Sequence, residues 1–232
     1  MLYFIGSDPP VMTRRKGSFA QENVKKLEEL GDKTVAVQAD ISDSSAGKNL
    51  VDTALKDFQT DTIDIIINNA VIVSWSTNLQ DPINLASFEN EYNVNVRGPQ
   101  LLIQATVPHM RPGGRIVNIS TIVAKVGSRY MLTYSASKGA LNSLTVSLAE
   151  ELGPKSLAIN AMALGPVETD SYQTTDKNLL FHRLHDRRAD IRAGEPWEVA
   201  EVVLFFASLM ASFVNGQVLL EPKKRSRVLD DV

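Results

Sequence analysis

A phenol and an amine stand four residues apart in Tyr134-Ser135-Ala136-Ser137-Lys138. On a helix that spacing puts both on one face. A lysine ammonium beside a tyrosine favours the phenolate and is expected to lower its pKa from about 10. A tyrosine tuned in this way can give a proton to a carbonyl oxygen or take one from an alcohol. Upstream lie further groups of the right kind. Thr121 and its neighbour Ser120 follow the apolar run that ends at Ile119, Asn95 lies in Asn93-Val94-Asn95-Val96-Arg97-Gly98, and Asn68-Asn69-Ala70 follows the apolar run 63–67. Tyr-x-x-x-Lys alone is a common accident of sequence, so its weight comes from these neighbours.

The elements that must position them alternate between short β-type runs and longer helical ones, the pattern of an α/β fold with a parallel sheet. Ser18 and Gln21 read as a capping box opening a helix with Val24, Leu27 and Leu30 inward and Gly31 at its end. Lys33 to Gln38 reads as a strand, Leu50, Val51, Ala54 and Leu55 as the inner face of a helix, and Ile63 to Ile67 as a strand buried on both faces. Phe88 to Met110 is mostly helical, Arg115 to Ile119 is a strand, and Tyr130 to Leu152 is one long helix carrying the tyrosine–lysine pair. Ala158 to Met162 is a further strand, Pro196 to Ser212 a helix and Gly216 to Leu220 a last strand. Thr121 therefore sits at a carboxyl strand end, where open α/β sheets bind ligands. Asn95, within a helix, could hold a water reaching Lys138.

Composition narrows the function classes. The 232 residues read as one domain over 1–232, with 171–192 a polar helical excursion and 223–232 a basic, solvated tail. There is no cysteine, hence no disulfide framework, thiolate metal site or thiol nucleophile. The net charge of −3 gives no general case for nucleic acid, and no apolar run approaches the length of a membrane helix. The N-terminal MLYFIG lacks a basic lead-in and is no signal peptide, so a cytoplasmic protein is expected. His182, His185 and Asp186 read as a solvated helix face rather than a metal site, and His109 as a helix-end cation. Trp75, Tyr130 and Phe181 either line a flat, aromatic substrate pocket or simply pack.

Taken together, residues 11–220 resemble the short-chain dehydrogenase/reductase family. Asn95, Tyr134 and Lys138 match three members of its Asn-Ser-Tyr-Lys constellation, and Thr121 takes the serine position. Asp40 with Ile41 matches the adenine-contacting aspartate, Asn68-Asn69-Ala70-Val71 the Asn-Asn-Ala-Gly segment, and Leu164-Gly165-Pro166-Val167-Glu168-Thr169 the loop over the nicotinamide. The resemblance implies a Rossmann-like, doubly wound parallel sheet in a three-layer α/β/α arrangement. It also implies hydride transfer between a nicotinamide dinucleotide and a carbonyl or alcohol carbon, with Tyr134 as general acid or base, Thr121 polarising the carbonyl, Lys138 orienting the ribose and Asn95 supporting proton relay. Asp40, Ile41, Asn69, Tyr134, Lys138, Val167 and Thr169 would touch the cofactor. Arg14 and Arg15 stand where a 2′-phosphate is held, so NADP is favoured over NAD. The resemblance further implies a homodimer or homotetramer through the helices of 88–110 and 130–152, with Ser147-Leu148-Ala149 and Leu101-Leu102 facing the partner. A second reading is a non-catalytic homologue acting as a subunit.

Three departures stand out. Val71 replaces a glycine, Leu164 a proline, and no glycine-rich turn precedes Arg14, where Gly6-Ser7-Asp8-Pro9-Pro10 offers one glycine and two prolines without N–H groups. Measured against a βαβ unit, the region before Arg14 is about thirty residues short. The first βα unit is therefore expected to be missing. In the order 3-2-1-4-5-6 that unit's strand joins the outer pair to the rest of the sheet. MLYFIG is expected to form an interrupted strand or a poor antiparallel hairpin with Val11-Met12-Thr13.

Overall fold

The computed structural model describes residues 2–6, 16–31, 33–75, 83–173 and 192–220. In chain order these form β1 (Leu2–Gly6), α1 (Lys16–Glu29), β2 (Thr34–Gln38), α2 (Ala46–Phe58), β3 (Ile65–Asn68) and α3 (Leu85–Tyr92). A π-helical turn (Asn93–Arg97) leads into α4 (Gly98–Thr106), then β4 (Arg115–Thr121), α5 (Val123–Val126) and α6 (Leu132–Leu152). The chain closes with β5 (Ala158–Leu164), α7 (Asp170–Gln173), α8 (Pro196–Ala207) and β6 (Val218–Leu220). Most of the 171–192 excursion, the 223–232 tail, Arg14, Arg15, Phe181, His182, His185 and Asp186 lie outside the described residues.

Two central strands carry the fold. Every residue of β4 and all but the last of β5 are buried, as required of parallel strands with helices on both faces. Their register pairs Arg115 with Ala158 and Thr121 with Leu164. On one face α2, α4 and α6 bury Leu50, Val51, Leu102, Ile103 and Leu152 against Ile66, Ile116 and Ile159. On the other, Phe206 of α8 and Ala211 cover Val117, Ile119 and Met162. The N–H of Glu195 donates to Glu198 Oε2 at 2.8 Å as Pro196 enters α8, so an orphan donor of its first turn is satisfied from within the sequence.

Among the described residues the parallel sheet is in two parts: β1 pairs with β2, and β3-β4-β5-β6 form a separate four-stranded sheet. The break falls where strand 1 of the 3-2-1-4-5-6 order would stand. MLYFIG departs from expectation. Leu2 to Gly6 run parallel to Thr34–Gln38 instead of pairing with their sequence neighbours, and Val11–Thr13 lie outside the described residues. A crossover back to Val11 is too short, but the connection to β2 contains α1 and meets the length that parallel pairing needs.

The break also exposes β3. Ile67 lies in register with Val117, and Ile66 with Ile116. Ile66 is buried, but Ile65 and Ile67 are 46% and 41% exposed, because α8 covers β4 and β5 and nothing described covers β3 on that face. The expectation that this run is buried on both faces fails for that reason. Smaller corrections concern helix ends. α1 begins at Lys16, so Ser18 lies inside it rather than capping it, and Leu30 falls beyond its end, exposed, before Gly31 turns the chain with φ +92°.

Candidate active site

The reacting groups collect at the carboxyl ends of β3, β4 and β5. Thr121 is the last residue of β4, and its Oγ1 donates to Leu164 O of β5 at 3.3 Å. Tyr134 stands in the first turn of α6, on the side of the Thr121 hydroxyl, which acts to lower the pKa of its phenol. Ser120 instead points its buried hydroxyl toward Lys138 O, 3.5 Å away. Of the two hydroxyls, Thr121's is the one that acts on Tyr134, and Ser120's is turned to the α6 backbone.

Lys138, one turn beyond Tyr134, is buried and donates from Nζ to Ile119 O at 2.8 Å. Burial lowers its pKa to about 8, and the carboxylate of Glu91 partly opposes the shift. Tyr134 moves the other way. Burial raises it to about 12, the bond to Thr121 pulls it down, and Glu91 adds to the rise. The expected lowering by the ammonium is corrected here: Lys138 spends a proton on the Ile119 carbonyl, and desolvation of the phenol dominates. At neutral pH Tyr134 is thus a protonated phenol.

Why α6 can lie so close to the sheet is legible in its inner stripe, where Ser137, Leu141 and Thr145 recur every four residues and are buried. A polar chain fixes its register. Asn68 Nδ2 donates to Asn118 Oδ1 (2.7 Å), Asn118 Nδ2 to Thr145 Oγ1 (2.9 Å), and Thr145 Oγ1 to Leu141 O (2.8 Å). Each donor is buried and answered, so the chain rigidifies the site.

Asn95 lies in the π turn, a local widening that recurs at functional sites. Its Oδ1 accepts from Ile72 N (3.0 Å), and its Nδ2 donates to Ile72 O (2.8 Å) and Ser137 Oγ (3.0 Å). The side chain clamps the segment after β3 to α6, a task the sequence did not reveal. Also unforeseen is Glu91, buried four residues before Asn95, whose Oε1 accepts from Ser74 N at 3.2 Å. An acid on an otherwise inward helix position was the signal available for it.

The remaining candidates spread along the same edge. Asp40 is exposed and accepts from Ser42 N and Oγ (2.9 and 2.7 Å), while Ile41 is buried against Gly98. A cleft of about 200 Å³ lies there, lined by Val37, Asp40, Ala46 and Leu50, away from Tyr134. Asn69 and Val71 are exposed beyond β3. Val167 bridges to Gly194, which ties the loop after β5 to the start of the α8 region, and Thr169 Oγ1 accepts from Tyr172 N. Trp75 is half exposed, and Tyr130 lies against the guanidinium of Arg129. Leu102 is buried in the core beneath α2, so it does not face a partner. Among the described residues no cluster of His, Asp or Glu could hold a metal ion, and no helix is long and apolar enough to cross a membrane.

Residues that the resemblance would give to the nicotinamide and its ribose (Tyr134, Lys138, Val167, Thr169) are present at the strand ends, and Asp40 with Ile41 lies where the adenine would be held. That half of a dinucleotide site fits. No described residues form a glycine-rich turn for its pyrophosphate.

Comparison with known proteins agrees with this geometry. Residues 10–221 match a family model described as enoyl-(acyl carrier protein) reductase, adh_short_C2. The short chain dehydrogenase penD of Penicillium thymicola is 32% identical over 85% of this chain and 74% of its own length. Versicolorin reductase 1 of Aspergillus parasiticus is 31% identical over 86% and 79%. Among solved structures, a blue fluorescent protein from a metagenomic library in complex with NADPH superposes with TM-score 0.84 at 29% identity, covering 95% of this chain and 85% of that one. A short chain dehydrogenase from Burkholderia cenocepacia in complex with NADP gives 0.83 at 30%, with the same coverage. The chain belongs to the short-chain dehydrogenase/reductases, a family of NAD(P)-dependent oxidoreductases.

Proposed function

We propose that the protein reduces a ketone or related carbonyl with NADPH, Tyr134 serving as general acid. The observation that carries the reading is the Tyr134–Thr121 hydroxyl pair at the carboxyl end of β4, one helical turn from Lys138. A phenol held in its protonated form is the form that delivers a proton to a carbonyl oxygen. The nicotinamide dinucleotide, when bound, supplies the hydride. Thr121 turns its hydroxyl from Leu164 O to the substrate oxygen and stabilises the charge that builds there. Lys138 exchanges the Ile119 carbonyl for the ribose hydroxyls and brings its charge toward the developing tyrosinate. Asn95 holds the segment around Ile72 against α6 and supports proton relay from the Lys138 side.

Asp40 and Ile41 would hold the adenine side, Asn69 would touch the cofactor beyond β3, and Val167 and Thr169 would contact the carboxamide. Arg14 and Arg15, with charge suited to a 2′-phosphate, favour NADP over NAD. Two solved relatives are described as NADPH or NADP complexes, which supports this choice. The protein acts in the cytoplasm as a homodimer or homotetramer, α6 presenting its exposed Val146 and Ser147 to a second copy.

A second reading, a non-catalytic subunit, is favoured by the divided sheet and the uncovered Ile65 and Ile67. Titrating NADPH and following nicotinamide fluorescence separates the two. Saturable binding with ketone-dependent oxidation is expected for the reductase. Absence of binding at concentrations on the order of hundreds of micromolar, within the usual range of enzyme affinities, overturns it.

A further inference from the structure

Glu91 is the one buried residue of α3, and it is an acid. Its Oε1 accepts from Ser74 N, and the Ser74 hydroxyl meets that of Ser87, one turn back on the same helix. The other oxygen, Oε2, is buried with no hydrogen-bond partner. A carboxylate left half satisfied away from water is costly unless a cation stands near. The charged group acting on Glu91 is Lys138, and the charged group acting on Lys138 is Glu91. The elements packed around them add little: the 71–75 segment carries no ionisable side chain, β4 offers Lys138 the Ile119 carbonyl, and α6 contributes Tyr134, which also feels Glu91.

The pattern along the 71–75 segment is equally telling. Asn95 takes both backbone groups of Ile72, and Glu91 takes the N–H of Ser74. Alternate residues are thus tied to the α3 and π-turn face, and Val71, Val73 and Trp75 are left exposed. One buried carboxylate therefore bears on two features of the site at once: it bonds the segment beside it directly and acts on the lysine through its charge.

We infer that Glu91 is a positioning residue of the Tyr134–Lys138 pair: a buried carboxylate that supplies the counter-charge to the Lys138 ammonium and anchors Ser74 of the neighbouring segment. Its consequence for catalysis rests on the reductase reading, but the charge coupling does not. Burial disfavours the Lys138 cation and Glu91 opposes this, favouring the charge that steadies a developing tyrosinate.

The test needs no turnover. In protein carrying carbon-13-labelled lysine, the signal that Lys138→Met removes reports Lys138, with a midpoint near pH 8. Glu91→Gln keeps an acceptor for Ser74 N–H and removes the charge, and is expected to lower that midpoint by about one pH unit. The reciprocal measurement follows the Glu91 carboxyl in Lys138→Met, where its midpoint rises. An unchanged Lys138 midpoint in Glu91→Gln overturns the inference and leaves Glu91 a hydrogen-bond acceptor for Ser74. Should Glu91→Gln fail to fold, an unmoved Glu91 midpoint in Lys138→Met overturns it equally. In the active enzyme, the pH profile of kcat/KM shifts to lower pH in Glu91→Gln. Failure of NADPH binding in the unaltered protein would sink the reductase reading while leaving the midpoints to decide this one.

Discussion

The two sheets of this molecule divide the labour of a dinucleotide enzyme unequally. The four-stranded half, β3 to β6 with α4, α6 and α8, holds Thr121, Tyr134, Lys138 and Asn95 within a buried and mutually hydrogen-bonded frame. The two-stranded half, β1 and β2, reaches Asp40 and Ile41 but joins no strand of the larger sheet. In the proposed reductase, proton transfer would rest on packing within the four-stranded half, and the grip on the cofactor on an edge where β3 has no described neighbour. A protein of this kind can lose affinity for its cofactor without losing the geometry of its acid.

The largest break in that comparison is Tyr134→Phe. Removing the phenolic hydroxyl takes away the proton donor and nothing of the frame, since the ring remains. Turnover of a ketone by NADPH is expected to fall by about 10²- to 10⁴-fold. NADPH affinity, read from nicotinamide fluorescence, should stay within about twofold, because the change touches one hydroxyl. An equal loss of both would mean that the two halves are not separable.

Next in size is the frame. Ile116→Ala empties a fully buried position between β3 and β5 and is expected to cost about 2–5 kcal/mol in denaturant unfolding. The same unfolding curve should remain a single transition if the four-stranded half is one cooperative unit. A separate early transition insensitive to Ile116→Ala would assign that transition to β1, β2 and α1.

Stability against pH reads the two titrating groups with opposite signs. Lys138 binds its proton less readily folded, with a pKa of about 8 against 10.5, so the unfolded chain holds more protons between those values. Its contribution to stability therefore rises with pH through that window and is lost as pH falls through 8. Tyr134, raised from 10 to about 12, contributes stability that is present below pH 10 and lost as pH climbs toward 12. Thermal melts across pH 7–12 check this. Lys138→Met should flatten the rise in Tm between 8 and 10.5, and Tyr134→Phe the fall above 10.

What could be read from the sequence followed locality. Tyr134 and Lys138 share one helix, and Thr121 ends one strand, so their placement in the fold depends on local pattern. Asp40, Asn69, Val167 and Thr169 follow from the resemblance rather than from any spacing, and the structure puts them just beyond strands β2, β3 and β5. Three other features escaped because they depend on contacts between segments. Asn95's bonds to Ile72 and Glu91's to Ser74 join a helix to an aperiodic stretch that carries no pattern to read. The partner of β1 was misjudged because strand pairing is set by crossover length and packing, not by nearness in sequence. The direction of the Tyr134 shift was misjudged because a pair four residues apart need not be in contact, and Lys138 turned to a carbonyl.

The smallest expected effect is also the sharpest comparison, because it sets two faces of one strand against each other. Ile66 and Ile67 are adjacent and chemically identical, yet Ile66 packs under α2 and α4 and Ile67 is 41% exposed. Ile67→Thr keeps the β-branched shape that a strand favours and replaces a partly solvated ethyl group by a hydroxyl. With water already at that face, its cost should be within about 0.5 kcal/mol, against about 2–5 kcal/mol for Ile66→Ala. Urea unfolding of both variants measures the difference. A penalty of about 2 kcal/mol or more for Ile67→Thr would require that something covers β3 in solution, for a hydroxyl is expensive only where it is buried without a partner. A small penalty would establish an open face of β3 where α8 stops.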